Sequence, residues 1–313
     1  MDSPAARRAG LRATQGAATL AGLGAAGIGY AWLEARWFTV LHETVPALPP
    51  GAPDIRVLHI SDLHLTPYQR RKRDWIASLA DLEPDLVVDT GDNLAHRDSV
   101  QPLVDSLGPL LDLPGVFVQG SNDYFEPTLR NPVGYLLPDN GKRHVSSRQL
   151  PWGEMVERFR AAGWRELTNR RDELTVKGVR IAFAGVDDPH LGYDDLAAVA
   201  GPADSEADLR VGVAHAPYLR VLDQMAADGY DAILAGHTHG GQLCLPNRRA
   251  IVTNCDLDRA RASGLSTHPA AADPRTQGTS WLHVCPGAGT SPFVVARVCC
   301  RPAASLLTLT SQA

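Results

Sequence analysis

The chain lacks several signatures that would have fixed its class at once. None of its five cysteines (Cys244, Cys255, Cys285, Cys299, Cys300) forms a C-x-x-C pair, which argues against a zinc ribbon. An odd number leaves at least one thiol unpaired within a monomer. The cysteines read as small buried hydrophobes, with a Cys244–Cys255 disulfide as the alternative. Aromatics are few, 6% of residues, and acidic groups outnumber basic ones for a net charge of −5. With no basic stripe carrying interleaved aromatics, no nucleic-acid partner is expected. No internal repeat is visible. What remains is ordinary for a globular protein, 44% apolar and 21% charged, and 313 residues suffice for one large domain or two small ones.

The N-terminal 37 residues stand apart. Arg7, Arg8 and Arg12 precede an uncharged run from Ala17 to Leu33, and Tyr30, Trp32 and Trp37 lie near its far end. A run of 17 residues is at the short end of the roughly 17–25 needed to span a bilayer. With arginines before it and aromatics after it, residues 1–37 are expected to form a signal anchor. The N-terminus would then face the cytoplasm, and residues 38–313 would form an extracytoplasmic domain on a single-pass membrane protein. Two other readings stay open. One is an export signal, since Arg7-Arg8 faintly resembles a twin-arginine signal and cleavage after Ala31 is conceivable. The other is an Ala/Gly-rich helix packed on the domain.

From Ile55 onward one pattern recurs. An apolar, β-branched run ends in a ligand-type side chain: Val57–Ile60 in Asp62 and His64, Leu86–Val88 in Gly91-Asp92, Val116–Val118 in Gly120-Ser121-Asn122-Asp123, Leu209–Ala214 in His215, and Ala232–Ala235 in His237 and His239. In extended backbone, residues i and i+2 point to the same side, so Asp62 and His64 can chelate together, as can His237 and His239. Asp187-Asp188, at the end of a hairpin-like pair turning at Gly178, could reach the same place. Strands alternate with helices early and follow one another more closely later. The pattern points to an α/β fold of mixed sheets with outer helices, and ligands in such folds gather beyond the carboxyl ends of strands.

Other stretches read more plainly. Helices are expected at 71–82, 98–111, 152–162 and 218–229, and strands at 281–284, 293–299 and 306–309. Residues 69–73 (QRRKR) read as the solvated start of a helix. Residues 124–150 read as a long loop of the kind that sets specificity, and residues 256–278 as a flexible surface insertion. His59, His144 and His190 are read as ordinary surface or core histidines.

The ordered set Asp-x-His, Gly-Asp, Gly-Ser-Asn-Asp, His-x-Pro and Gly-His-Thr-His-Gly-Gly resembles the calcineurin-like metallophosphoesterases over about Ile55 to Leu309. It is most similar to the bacterial branch with an N-terminal membrane or export segment, where a UDP-2,3-diacylglucosamine hydrolase-like activity is inferred. The resemblance implies a four-layer α/β/β/α sandwich with two metal ions at one edge. Carried over by position, Asp62, His64 and His239 would ligate the first ion, Asp92 would bridge, and His215 and His237 with an Asn would ligate the second. Carboxylate, imidazole and amide oxygen suit Mn, Fe or Zn. Such ions hold a bridging hydroxide for in-line attack at phosphorus, so no Ser or Cys nucleophile is required.

The implied function is hydrolysis of a phosphoester or diphosphate in a small-molecule, sugar-nucleotide or lipid-linked substrate. The alternative is a non-catalytic metal-dependent phosphoryl-binding module. One departure bears on the choice. The family reads Gly-Asn-His-Asp or Gly-Asn-His-Glu, in which Asn binds metal and His protonates the leaving group, where this chain has Gly120-Ser121-Asn122-Asp123. Either Ser121 holds the ligand position and Asn122 replaces the acid, or the loop shifts and Asn122 binds the metal. Asp123 is then a candidate acid.

Overall fold

The computed structural model describes residues 4–129 and 145–311. Among the described residues twelve strands follow one another: β1 (Thr39–Leu48), β2 (Ile55–Ile60), β3 (Leu86–Asp89), β4 (Gly115–Phe117), β5 (Arg165–Glu166), β6 (Arg170–Val176). After these come β7 (Val179–Gly185), β8 (Leu209–Ala214), β9 (Ala232–Ala235), β10 (Gly264–His268), β11 (Ser280–Val284) and β12 (Ala303–Ser311). The helices are α1 (Pro4–Glu34), α2 (Arg70–Ser78), α3 (Val100–Leu107), α4 (Ser121–Tyr124), α5 (Trp152–Ala161), α6 (Leu196–Val199) and α7 (Leu219–Asp228).

The strands form two six-stranded sheets, ordered β1-β12-β2-β3-β4-β5 and β10-β11-β9-β8-β7-β6. Within the first, β2 to β5 run parallel; within the second, β7, β8, β9 and β11 do. Parallel strands covered on both faces read as nearly continuous apolar runs, which is why Leu86-Val87-Val88 and Ala232-Ile233-Leu234 contain no alternation. In β2 the two-residue period still sorts side chains. Ile55 and Val57 face the second sheet, where Val88 and Val116 meet Ile181, Phe183, Val211 and Leu234. Leu58 and Ile60 face outward, onto Ile76 of α2, Leu103 and Leu107 of α3 and Phe159 of α5. On the far side, Val221, Leu222 and Met225 of α7 cover Ala184, Ala214 and Ile233. Their spacing is that of a single helical face. The four layers are therefore α/β/β/α, as the resemblance implies. The parallel pairings are level at the top: Ile60 lies beside Asp89, Asp89 beside Phe117, and Ala214 beside Ala235.

Several expectations are corrected. The run from Ala17 to Leu33 is helical within α1, but no described helix is long and apolar enough to cross a membrane. Alanine and glycine supply too little apolar surface, and the single-pass membrane protein expected from the sequence is overturned. The end of α1 packs on the domain instead. Ala31 and Glu34 are buried, Arg297 N–H donates to the Ala31 carbonyl (3.0 Å), and the Glu34 carboxylate accepts N–H bonds from Cys299 (3.1 Å) and Cys300 (2.7 Å).

Residues 256–278 are not a loose insertion, because they contain β10, an antiparallel partner of β11. As an edge strand with mostly half-buried residues, β10 needs no apolar period. Residues 293–299 form no strand. Gln242 Nε2 donates to the Val294 and Ala296 carbonyls, and a single parallel bridge between Leu243 and Val298 is the backbone pairing in the segment. Lys72, in the segment expected to be solvated, is buried and donates from Nζ to the Leu63 carbonyl (2.7 Å). The helices expected at 71–82 and 98–111 each end in a tighter 3₁₀ turn. All five cysteines are free thiols. Of the long loop at 124–150, residues 130–144, including His144, lie outside the described residues; its two ends meet in an antiparallel bridge between Phe125 and Gln149.

Candidate metal centre

The carboxyl ends of β2, β3, β4, β8 and β9 open onto one edge of the sandwich, and the loops that leave them bring the polar residues together. The turn out of each strand is sharp. Asp62, His64, Asp92, His237 and His239 all have left-handed backbones, with φ between 41° and 68°. That region is costly for residues with a Cβ and is found where surrounding structure imposes it, often at functional sites. Two glycines make the close approach possible. A Cβ on Gly236 would lie 1.8 Å from Ser61 Oγ, and one on Gly120 would lie 2.4 Å from Asp92 Oδ1.

Two buried triads result, Asp62–His64–His239 and Asp62–Asp92–His215, each with one ligand atom per residue and all such atoms within 4.8 Å of one another. Asp62 belongs to both, and Asp92 touches members of both: its Oδ2 lies 3.5 Å from His64 Nε2 and its Oδ1 3.5 Å from His215 Nε2. His237 stands beside the second triad, with Nδ1 3.3 Å from His215 Nε2.

The hydrogen bonds around these rings decide which nitrogens are bare. His215 Nδ1 faces the Thr90 carbonyl at 2.6 Å, His237 Nε2 faces the Asn254 carbonyl at 3.3 Å, and His239 Nδ1 faces the Gly289 carbonyl at 3.2 Å. A carbonyl can only accept, so each of those nitrogens carries a proton and the opposite nitrogen is turned inward, with a lone pair wherever the ring is neutral. Asp62 Oδ1 and both ring nitrogens of His64 are buried without a hydrogen-bond partner among the described residues. Orphaned acceptors and converging lone pairs fit a cation, and the family that the sequence resembles uses divalent metals.

The electrostatics agree. Burial pushes Asp62 up to about 6, with Asp92 adding to the shift and His215 opposing it. Burial would also raise Asp92, but His215, His64 and the bonds from Asn122 outweigh it and hold Asp92 below the usual carboxylate range. Burial pushes His64 down to about 4, and His237 and His239 well below the usual imidazole value. His215 is the exception. Burial opposes its charge, yet Asp92, Asp188 and Asp62 together raise it to about 9. A proton on His215 thus offsets part of the negative charge that a metal would neutralise.

The Gly120–Asp123 loop is placed by its last residue. The buried carboxylate of Asp123 accepts N–H bonds from Asp92 (2.8 Å), Asn93 (2.8 Å) and Gly120 (2.9 Å). Both of its oxygens are engaged by backbone, so the geometry gives Asp123, the candidate acid read from the sequence, a positioning role. Asn122 reaches Asp92 twice, through its backbone N–H to Oδ1 and its side-chain amide to Oδ2, both at 2.7 Å. Ser121 stands behind it, its hydroxyl 3.3 Å from the Asn122 amide.

Other residues reach the site that sequence reasoning did not assign to it. Arg297 is fully buried, and its guanidinium donates to the carbonyls of His239 (3.0 Å), Pro286 (3.0 Å), Gly287 (3.0 Å) and Gly289 (2.6 Å), tying two site loops together. A lone cation inside the apolar run Phe293–Cys299 was the available signal. His190, expected to be an ordinary histidine, has its ring centre 4.4 Å from that of His237. Asp188, which the sequence already places within reach of the site, is buried and accepts the His190 N–H at 2.8 Å.

Comparison with known proteins accords with this geometry. The family model described as calcineurin-like phosphoesterase matches residues 55–241. Phosphodiesterase YaeI of Escherichia coli (strain K12) is 30% identical over 247 residues, which cover 77% of this chain and 80% of that protein. The uncharacterized protein YpbG of Bacillus subtilis (strain 168) is 28% identical over 196 residues, 62% of this chain and 64% of its own length, so that match spans less than two thirds of the relative. Among solved structures, Haemophilus influenzae NAD nucleotidase aligns with a TM-score of 0.44 at 13% identity, covering 81% of this chain and 49% of that one. With strand ends, triads and family model in agreement over the same residues, the chain belongs to the calcineurin-like phosphoesterase family.

Proposed function

We propose that this chain is a metal-dependent phosphoester hydrolase that holds two divalent ions and acts on a small-molecule phosphate ester or diphosphate. The observation that carries the reading is the meeting of His215 Nε2 and His237 Nδ1 at 3.3 Å, both turned inward by carbonyls behind them, beside an Asp92 that also touches His64. In the metal-free chain a proton on His215 Nε2 can bridge the pair, and a divalent ion would take the place of that proton. Asp62, His64 and His239 would hold one ion. Asp92, His215, His237 and Asn122 would hold the other, and carboxylate, imidazole and amide donors suit Mn, Fe or Zn. When bound, the ions supply Lewis acidity toward phosphoryl oxygens and lower the pKa of water.

The chain's own contribution is orientation. Asn122 fixes both oxygens of Asp92, Asp123 fixes the backbone beneath them, and Arg297 pins the His239 loop. The Gly120–Asp123 loop carries no imidazole, so it provides no general acid for the leaving group. Esters whose leaving group needs no proton should turn over best.

The test is bound metal per chain by elemental analysis of the manganese-loaded protein, together with hydrolysis of bis-p-nitrophenyl phosphate and an Asp92→Asn control. About two metals per chain and activity lost in the variant support the hydrolase. Metal bound without turnover of any ester or diphosphate makes the chain a phosphoryl-binding module, the reading that the missing imidazole favours. No bound metal sinks the site assignment.

A further inference from the structure

Aromatic residues are scarce in this chain, yet three of them meet beside the metal centre. Tyr124 follows Asn122 by two residues at the end of α4. Trp152 and Tyr193 both stand edge-on to it, with ring centres 5.2 Å and 5.5 Å away and interplanar angles of 63° and 71°. Tyr124 is buried, while Trp152 and Tyr193, each packed against it, are 36% and 46% exposed.

The cluster is built. The Tyr124 hydroxyl donates to Asp187 Oδ1 at 2.8 Å, and Tyr193 N–H donates to the Asp188 carbonyl at 3.1 Å. Leu150 N–H donates to the Tyr124 carbonyl at 2.9 Å, which brings the start of α5, and with it Trp152, against the loop. Every tether therefore runs to a residue within two positions of the metal centre or to the Asp187-Asp188 strand end, whose Asp188 faces His215 electrostatically.

We infer that Trp152 and Tyr193 form a stacking platform for a planar ring carried by the substrate's organic group, so that the preferred substrate is a phosphate ester of a nucleoside or an aryl alcohol and not of a simple alkyl alcohol. The inference rests on the phosphoesterase reading for the place of the phosphate. Exposed aromatic faces bind bases without sequence readout, because every base has a π-face. Tyr124 sets the height and angle of both rings and takes no part in the contact.

The test uses the full chain loaded with manganese and three phosphonates, whose carbon–phosphorus bond separates binding from turnover: adenosine 5′-phosphonate, phenylphosphonate and methylphosphonate. Affinities are read by calorimetry for the native protein, for the Trp152→Leu/Tyr193→Leu double variant, and for Trp152→Phe and Tyr193→Phe. A ring-bearing phosphonate is expected to bind roughly tenfold tighter than methylphosphonate. That preference should vanish in the double variant and return in the phenylalanine variants, while affinity for methylphosphonate stays unchanged in all. Preference for the adenosine compound alone assigns the platform to a nucleoside, and preference for the phenyl compound assigns it to an aryl group. Equal affinities for all three, no binding of any, or a preference unaltered in the double variant overturns the platform. The two readings fail separately: turnover of esters without ring preference removes the platform and keeps the hydrolase, and ring preference without turnover does the reverse.

Discussion

The Nδ1 atoms of His59 and His283 lie 2.9 Å apart in the buried seam between the two sheets. Only one proton fits between them, so at most one ring donates. On its other side, His59 Nε2 meets Thr90 Oγ1 at 3.1 Å, and the Thr90 carbonyl faces His215. Polar contacts thus run from the core of the sandwich to the candidate metal centre. Burial keeps both rings neutral, holding His59 well below the usual value and His283 at about 3. Because the folded pKa values lie below the unfolded one, the unfolded chain binds the extra protons. Stability is full above about pH 6.5 and declines as pH falls toward about 3. His283→Leu should cost about 1–3 kcal/mol at pH 7, by leaving His59 Nδ1 without its partner. It should also make stability less sensitive to acid. Urea unfolding at pH 7 and pH 5 checks both.

Asp89 shows the opposite sign. One oxygen accepts the Gly91 N–H at 2.9 Å, and the other is buried without a partner among the described residues. Burial pushes this carboxyl up to about 8. The folded chain then keeps a proton that the unfolded chain releases above about pH 4, so this group costs stability progressively from about pH 4 to about pH 8. Asp89→Asn should flatten that decline, read as a smaller difference between melting temperatures at pH 5 and pH 8 in the metal-free protein.

Asp123→Asn keeps the shape of the side chain and replaces one acceptor by a donor facing backbone N–H groups. A loss of about 1–3 kcal/mol is expected, with weaker metal binding because Asp92 and Gly120 lose their common anchor. Thermal unfolding and metal titration report the two effects. A variant that binds metal as tightly as the native protein would contradict the positioning role.

Asn122→His places an imidazole where the family carries its acid and removes the amide that holds Asp92 Oδ2 and would hold the second ion, so overall turnover should fall and the leaving-group ratio is what is read. Proton donation to a leaving group is typically worth about 10²–10⁴-fold. Turnover of alkyl esters should rise relative to that of p-nitrophenyl esters, which need little protonation. A uniform change for both leaving groups would show that the imidazole does not reach the ester oxygen.

Glu34→Ala removes the acceptor for two backbone N–H groups at Cys299 and Cys300. About 1–3 kcal/mol of stability should go with it, while metal content stays unchanged. Chemical denaturation and elemental analysis separate the two readouts.

The strands that carry the centre were legible because each is an apolar run interrupted by one kind of residue, and Asp or His at a buried strand end has few structural uses. The left-handed turns at Asp62, Asp92 and His237 were not legible, since nothing local favours that backbone at a non-glycine residue. Packing between loops imposes it. Arg297 escaped notice because its partners are carbonyls from distant loops, and a carbonyl leaves no mark in a sequence. β10 escaped because an edge strand with half-buried residues has no need of the alternation by which strands are found. The run at Ala17 to Leu33 misled in the other direction: absence of charge was read as apolarity, although alanine and glycine contribute little of it.

The position of β12 has a consequence for how the molecule is made. β12 lies between β1 and β2, parallel to one and antiparallel to the other, with Ala303 beside Thr39 and Leu309 beside Ile55. While the nascent chain leaves the ribosome, β1 has no neighbour to pair with and β2 keeps one side open until residues 303–311 emerge. The first sheet therefore waits with its seam unclosed until residues 303–311 have been made. The second sheet can assemble its parallel strands β7, β8, β9 and β11 before β12 is translated. Completion by a late strand between two early ones demands loop closure across nearly the whole described chain. Such non-local pairing slows folding and leaves unpaired edges exposed meanwhile.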